Sequence, residues 1–255
     1  RQSSLHVANL DHGPRIGGMK FWADGSFGSR TAFLEQPYND APGERGFMIH
    51  SMENMKRRML EAHLAGEQIA IHSIGDASTR ICLELFKQLL HKHPNRDIRH
   101  RIEHASQLSS ELIETISELN LIVATQPMFI QSEKAWLKDR LGKERIKWTY
   151  PFRSLIEAGV TVSGASDAPV ESLDVMQSID NCVAREDFEP QQSITPLQAL
   201  RMFTTNAAHA QGEEKIKGNL VPGKRADMVI LNDNPLSVET SDIGNITVEK
   251  TICGG

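Results

Sequence analysis

The segment QIAIHSIGDASTRICLELFKQLL, residues 68–90, joins a short apolar run to a longer helical pattern. Residues 68–72 form the run, and the turn at Gly75 leads into a helix predicted from Asp76. The apolar face of that helix carries Ile81, Leu85 and Leu89. A strand followed directly by an amphipathic helix is the repeating unit of α/β proteins with parallel sheets.

The same unit recurs along the chain. Strands are predicted at residues 17–23, 68–72, 98–104, 121–125 and 160–165. Helices are predicted at about 51–65, from Asp76 to before Pro94, from Ser109 or Ser110, and at about 150–158, 173–186 and 196–209. The basic, tryptophan-bearing segment 130–150 receives no assignment. A closed (β/α)8 barrel needs eight strands, so the predicted fold is a partial (β/α)8 barrel of about five βα units.

The pattern changes after Gln211. The pair Pro222-Gly223 is typical of a type II turn, and short strands are predicted at 226–231 and 248–253. We therefore predict two parts, a barrel portion at residues 1–211 and a small β segment at residues 212–255.

Composition excludes several classes of protein. The chain has 255 residues, with 28 Lys and Arg against 33 Asp and Glu, and 39% apolar residues, as in soluble globular domains. The formal charge of −5 and the absence of a long basic cluster argue against nucleic acid as a partner. No apolar run approaches the roughly 20 residues of a membrane span.

The cysteines predict a cellular location, and the chain ends predict a longer polypeptide. Cys82, Cys182 and Cys253 are an odd number and far apart, which favours reduced thiols and a cytoplasmic location. The first residues lack the features of a signal peptide. Both ends look cut, so we expect the chain to be part of a longer polypeptide.

Polar side chains lie at the carboxyl ends of four predicted strands. They are Lys20 or Asp24, His72, His104 and Asp167. Ligands of barrels and open α/β sheets bind at this end of the strands. Imidazole and carboxylate groups from separate strands can converge on a catalytic metal that keeps one position open. The sequence therefore predicts a metal site at this edge.

Each of these residues also has a purely structural explanation. His72 could be a hydrogen-bonded core histidine, His104 could pair with Glu103 or Arg101, and Lys20 could pair with Asp24. Asp167 could be a loop carboxylate, and Asp76 is predicted to cap its helix. Taken one at a time, the structural explanations are favoured. Matched positions at four strand ends favour the site.

The remaining histidines are assigned no chemistry. His91-Lys92-His93 is the one H-x-H pair, but it lies at a predicted helix C-terminus, where cationic side chains suit the helix dipole. We predict that this pair is exposed to solvent. His50, His63, His100 and His209 are predicted to be structural.

Several motifs, in order along nearly the whole chain, resemble the amidohydrolase superfamily, in particular the YtcJ-like subgroup that includes N-substituted formamide deformylases. They are MKFWADGS (19–26) with SRTA (29–32), IHSIGD (71–76), RIEHA (101–105), TQP (125–127), GASDAP (164–169), TP (195–196) and GNLVPGKRAD (218–227). Each motif alone is weak, and their combination is specific.

The resemblance implies a metal-dependent hydrolase with a (β/α)8 barrel and a small composite β-sandwich, whose C-terminal strands would be residues 212–255. It implies one or two divalent ions, usually zinc, held by His72, His104 and Asp167. Lys20 would bridge the metals after carbamylation, with Asp24 as the fallback ligand. Asp167 would also be catalytic, moving the proton of a metal-activated water during cleavage of an amide or other C–N bond.

This chain departs from the family pattern in one respect. The family's first strand supplies an H-x-H pair of ligands, and nothing upstream of Lys20 fits, since His6 and His12 are six residues apart. We therefore expect the chain alone to bind metal weakly or not at all, to leave Lys20 unmodified and to have little activity. Exposed sheet edges lead us to expect self-association, or pairing with a missing N-terminal part of the same polypeptide.

Two other functions stay open. The chain could be a non-catalytic binding or regulatory module that keeps the amidohydrolase scaffold. Lys20 could instead act as a Schiff-base amine, although that would leave the two strand-end histidines unexplained. In every case the expected ligand is a small molecule.

Overall fold

The computed structural model describes residues 17–95 and 97–255. Five parallel strands form one sheet in chain order, each paired with the next. They are β1 (Met19–Trp22), β2 (Ile69–Ser73), β3 (Arg101–His104), β4 (Ile122–Thr125) and β5 (Val162–Gly164). Helices connect the strands, which confirms an α/β fold consistent with a partial barrel of five βα units.

Eight α-helices are found in the described residues. They are α1 (Met52–Leu64), α2 (Asp76–Lys92), α3 (Ser110–Glu118), α4 (Met128–Arg145), α5 (Phe152–Glu157), α6 (Val175–Val183), α7 (Pro196–Phe203) and α8 (Thr205–Ala210). Ser51 and Ser109 cap α1 and α3 by accepting hydrogen bonds from backbone N–H groups in the first turn.

The outer face of the sheet forms the core beneath the helices. Its central row is apolar and almost fully buried, and consists of Phe21, Ile71, Ile102, Val123 and Val162. Burying each such side chain stabilises the fold by about 1.5–3 kcal/mol. This row fixes the strand register and therefore decides which side chains point inward.

The inner face carries the polar side chains. Strand register places two rows there, Lys20 with Ala70 and Arg101, and above it Trp22 with His72, Glu103, Ala124 and Ser163. The second row lies toward the carboxyl ends of the strands. Alternation along the strands thus brings residues far apart in sequence to one surface.

Three local predictions differ from the structure. Asp76 is not the helix cap: Gly75 holds that position, and Asp76 is the first helical residue, whose carboxylate accepts a hydrogen bond from the backbone N–H of Glu35. The unassigned segment is largely the helix α4. The predicted helix 196–209 is two helices, broken where Thr204 leaves the helical region with φ −125° and ψ −93°.

The C-terminal segment forms a two-stranded antiparallel sheet of β6 (Met228–Leu231) and β7 (Val248–Ile252). The predicted type II turn is confirmed, since Gly223 has φ 90° and the N–H of Lys224 bonds the carbonyl of Val221. Ile243, between the two strands, is buried in the same core as the barrel helices. The boundary predicted at residue 211 stays a prediction.

The three cysteines are free, with Cys82 and Cys182 buried and Cys253 exposed. Within the described part of the chain, the helices are too short or too polar to cross a bilayer.

Candidate metal centre

Two of the four predicted ligands are in contact at the carboxyl edge of the sheet. His72 lies near the end of β2 and His104 ends β3, and their ring centroids are 4.4 Å apart with the planes inclined by 67°. Both side chains are largely buried. Two imidazoles this close on neighbouring strands can reach one cation.

This contact depends on an unusual backbone. The register pairs His72 with Glu103 and Ser73 with His104, so regular alternation would put the two imidazoles on opposite faces. The left-handed backbone of His104 (φ 73°) and Ala105 (φ 48°) ends the alternation there. Such a conformation costs about 1–3 kcal/mol in a non-glycine residue, and such strain clusters at functional sites.

Hydrogen bonds fix which nitrogen of each ring donates. Nε2 of His72 lies 2.9 Å from the carbonyl oxygen of Gly25, which can only accept, so Nε2 donates, and Nδ1 is bare when the ring is neutral. Nδ1 of His104 lies 2.7 Å from Oε1 of Gln126, also an acceptor, so Nε2 of His104 is bare. A bare nitrogen on a neutral imidazole is what a metal requires.

The environment also keeps His104 neutral. Burial, then the neighbouring imidazole of His72 and the ammonium of Lys20, lower the pKa of His104 to about 3. Its ring also stacks on Phe129 at the start of α4, with centroids 6.0 Å apart and planes 7° from parallel. His104 is therefore fixed from two sides in its neutral form.

Asp24 holds this edge together. Its fully buried carboxylate accepts hydrogen bonds from the backbone N–H groups of Phe33, Ile74 and Gly75 at 2.9–3.0 Å and from the hydroxyl of Ser78 at 2.6 Å. Burial raises the pKa of Asp24, and these donors oppose that effect. Three of these donors bond Oδ2 and one bonds Oδ1, which also lies 3.6 Å from Nε2 of His72. Asp24 therefore has a structural role at this edge, and its use as the fallback ligand stays a prediction.

Lys20 and Asp167 come from opposite edges of the sheet. Lys20 lies on β1, and Asp167 follows the end of β5 by three residues. Burial lowers the pKa of Lys20, while the charges of Glu103 and Asp167 act in the opposite direction. Both carboxylates therefore favour the charged form of Lys20.

Two residues near the site were not among the predicted ligands. Glu103 lies on the inner face and accepts a hydrogen bond of 2.7 Å from Arg101, which also bonds Gln68. Gln126 follows β4 and bonds His104. Gln126 is a polar residue at a strand end, which is the same signal that singled out the four predicted ligands.

The donor chemistry fits a divalent metal only in part. Histidine nitrogens and a carboxylate are suitable donors, but a lysine ammonium repels a cation. In the residues that the structure describes, three His, Cys, Asp or Glu side chains nowhere converge closely enough to hold a metal. The structure thus brings two donors together and leaves Lys20 and Asp167 nearby.

Comparison with known proteins agrees with this architecture. The sequence profile described as the amidohydrolase family matches residues 4–255, and the chain belongs to that family. It is 32% identical over 254 residues to a putative amidohydrolase, YtcJ, of Bacillus subtilis, covering 95% of this chain and 47% of that protein. It is 28% identical over 248 residues to an N-substituted formamide deformylase of Arthrobacter pascens, covering 94% and 45%.

Solved structures show the same likeness. A metal-dependent hydrolase from Pyrococcus horikoshii superposes with a TM-score of 0.80 and 31% identity, over 89% of this chain and 46% of its own. A metal-dependent hydrolase from Pyrococcus furiosus gives 0.79 and 33%, over 88% and 46%. The chain therefore spans about half the length of the relatives it matches.

Proposed function

We propose that this chain is part of a metal-dependent hydrolase that cleaves an amide or other C–N bond of a small molecule. The contact between His72 and His104 carries the proposal, because it presents two bare imidazole nitrogens at the edge where barrel enzymes bind substrate. Family membership and the likeness to metal-dependent hydrolases support it.

Each residue has a definite task in this proposal. Nδ1 of His72 and Nε2 of His104 would hold the metal, Asp167 would add a carboxylate, and Lys20 would join them once CO₂ had converted its amine to a carbamate. A bound divalent ion, zinc by the preference of such donors, would supply a lowered pKa of water and a polarised carbonyl. Asp167 would take the proton of the attacking water and deliver it to the leaving nitrogen.

Zinc binding in the presence of bicarbonate tests the site. Isothermal titration of the parent chain should give one class of zinc site, weakened at least tenfold in His72→Ala, His104→Ala and Asp167→Ala. His91→Ala is the matched control, since His91 is exposed and outside the site. If His72→Ala and His104→Ala bind zinc as the parent does, the proposed centre is wrong.

We also propose a partner for the exposed edge of the sheet. In the described residues β1 pairs only with β2, and two of its four side chains, Met19 and Trp22, are large, apolar and exposed. The N-terminal strands of a longer polypeptide fit this edge, and a second copy of the chain takes their place when they are absent.

The substrate class is proposed from one relative, and the cellular location from the cysteines. One relative is named for N-substituted formamides, and an amide of that kind is the first substrate to assay. Reduced thiols favour a cytoplasmic protein, and buried Cys82 and Cys182 suit that environment.

The alternative is a non-catalytic binding module. Its specific support is that, among the described residues, three acidic, histidine or cysteine ligands do not converge. The two proposals differ in one measurement. Assayed in the longer polypeptide that we expect this chain to belong to, a hydrolase releases amine from an N-substituted formamide only with metal present, and Asp167→Asn abolishes that release, whereas a binding module releases none.

A further inference from the structure

Gln126 is the one residue that bonds the imidazole of His104 in the described part of the chain. Its Oε1 lies 2.7 Å from Nδ1, and both side chains are nearly fully buried. A second-shell acceptor of this kind fixes which nitrogen of a histidine carries the proton. This makes Gln126 a positioning residue.

The placement of Gln126 follows from the strand order. It comes directly after β4, the neighbour of β3, so its side chain lies beside the strand end that carries His104. The backbone carbonyl of Gln126 accepts a hydrogen bond of 3.1 Å from the N–H of Phe129. The residue is thus anchored in the turn that also positions the ring stacked on His104.

We propose that Gln126 holds His104 as the Nδ1–H tautomer and thereby aims its bare Nε2 at the metal position. Without this acceptor, the ring can carry its proton on Nε2 instead. A cation could then bind only after Nε2 had lost that proton and the ring had changed its orientation. The proposal rests on the proposed function in its reference to a metal, while the tautomer itself can be observed in the metal-free chain.

Two variants and a matched control separate positioning from general stability. Gln126→Leu removes the acceptor and keeps a similar volume, and Gln126→Glu keeps an acceptor oxygen at the same reach. Gln107→Leu is the control: Gln107 is a buried glutamine of the neighbouring loop whose side chain bonds Thr149 and the carbonyl of Arg145, not His104.

The first readout is the ring nitrogen spectrum of His104, which distinguishes a protonated from a bare nitrogen. The parent, Gln126→Glu and Gln107→Leu should show Nδ1–H. Gln126→Leu should shift toward Nε2–H. A parent chain with Nε2–H overturns the proposal even if Gln126→Leu does not fold, and so does an unchanged tautomer in a folded Gln126→Leu.

The second readout is zinc affinity, in which loss of such an outer partner typically costs about 10–100-fold. We expect that loss in Gln126→Leu, and affinities close to the parent in Gln126→Glu and Gln107→Leu. If His104→Ala loses zinc while Gln126→Leu does not, the positioning role fails and the metal centre stands. If His104→Ala keeps zinc, the proposed function fails instead.

Discussion

A pair of buried histidines at the amino-terminal end of the strands predicts how the chain responds to acid. The N–H of Ile69 donates to Nδ1 of His100 at 3.0 Å, so the proton of His100 is on Nε2. That proton reaches Nδ1 of His63 at 2.9 Å, and Nε2 of His63 donates to the carbonyl of His93 at 2.8 Å. Every ring nitrogen is used, so a second proton on His100 would displace its hydrogen bond from the N–H of Ile69.

The cost of adding a proton follows from the pKa of His100. Burial, then the neighbouring imidazole of His63, lower this pKa from 6.5 to about 4. At about 1.4 kcal/mol per pH unit, the difference is worth roughly 3 kcal/mol of unfolding free energy. The unfolded chain binds more protons between pH 6.5 and 4. The contribution is therefore complete above pH 6.5 and is lost as the pH falls through this window.

Urea denaturation at a series of pH values measures this contribution. Between pH 7.5 and 5 the parent should lose about 2 kcal/mol of unfolding free energy that His100→Asn does not lose. His104 contributes equally to the pH dependence of both chains, so its contribution cancels in the comparison. His91→Asn changes an exposed residue and should behave as the parent. Equal pH dependence in the parent and His100→Asn, or a His100 resonance that titrates near pH 6.5, would refute the reasoning.

Three further predictions concern stability and assembly. Asp24→Asn should lower the unfolding free energy, measured in urea, by about 3 kcal/mol, because four donors lose a charged acceptor. The control Glu144→Gln removes one partner of an exposed ion pair and should change the unfolding free energy by less than about 0.5 kcal/mol. Gly75→Ala should cost about 3 kcal/mol, since its Cβ would lie 2.0 Å from the carbonyl oxygen of Phe33; Gly43→Ala, with open space around it, should be nearly neutral. The chain should elute as a dimer or larger species in size-exclusion chromatography with light scattering, and a soluble monomer would contradict the exposed-edge argument.

Much of the fold could be predicted because its signals are local. Apolar runs marked all five strands, and serine caps marked the starts of α1 and α3. The helix α4 was missed for two reasons. Its polar and apolar residues form no clear amphipathic stripe, and Gly142, with φ 78°, interrupts the helix. The break at Thr204 was missed because no Gly or Pro marks it in the sequence.

The candidate site was predictable only in its residue types. His72 and His104 lie near or at the strand ends that the sequence indicates, whereas Lys20 lies one row lower on β1 and Asp167 three residues beyond β5. The contact between His72 and His104 depends on a left-handed backbone at His104, which cannot be inferred from a pattern of residues. The role of Asp24 was also hidden, because its four donors come from segments up to 54 residues away.

The central claim is that Lys20, His72, His104 and Asp167 surround one metal position. A crystal structure of the zinc-soaked protein, with anomalous scattering at the zinc edge, tests it most directly. The account predicts one peak about 2.0–2.1 Å from Nδ1 of His72 and Nε2 of His104, with Asp167 and Lys20 around it. A peak confined to the exposed histidines, or a bound zinc that touches neither His72 nor His104, would contradict it.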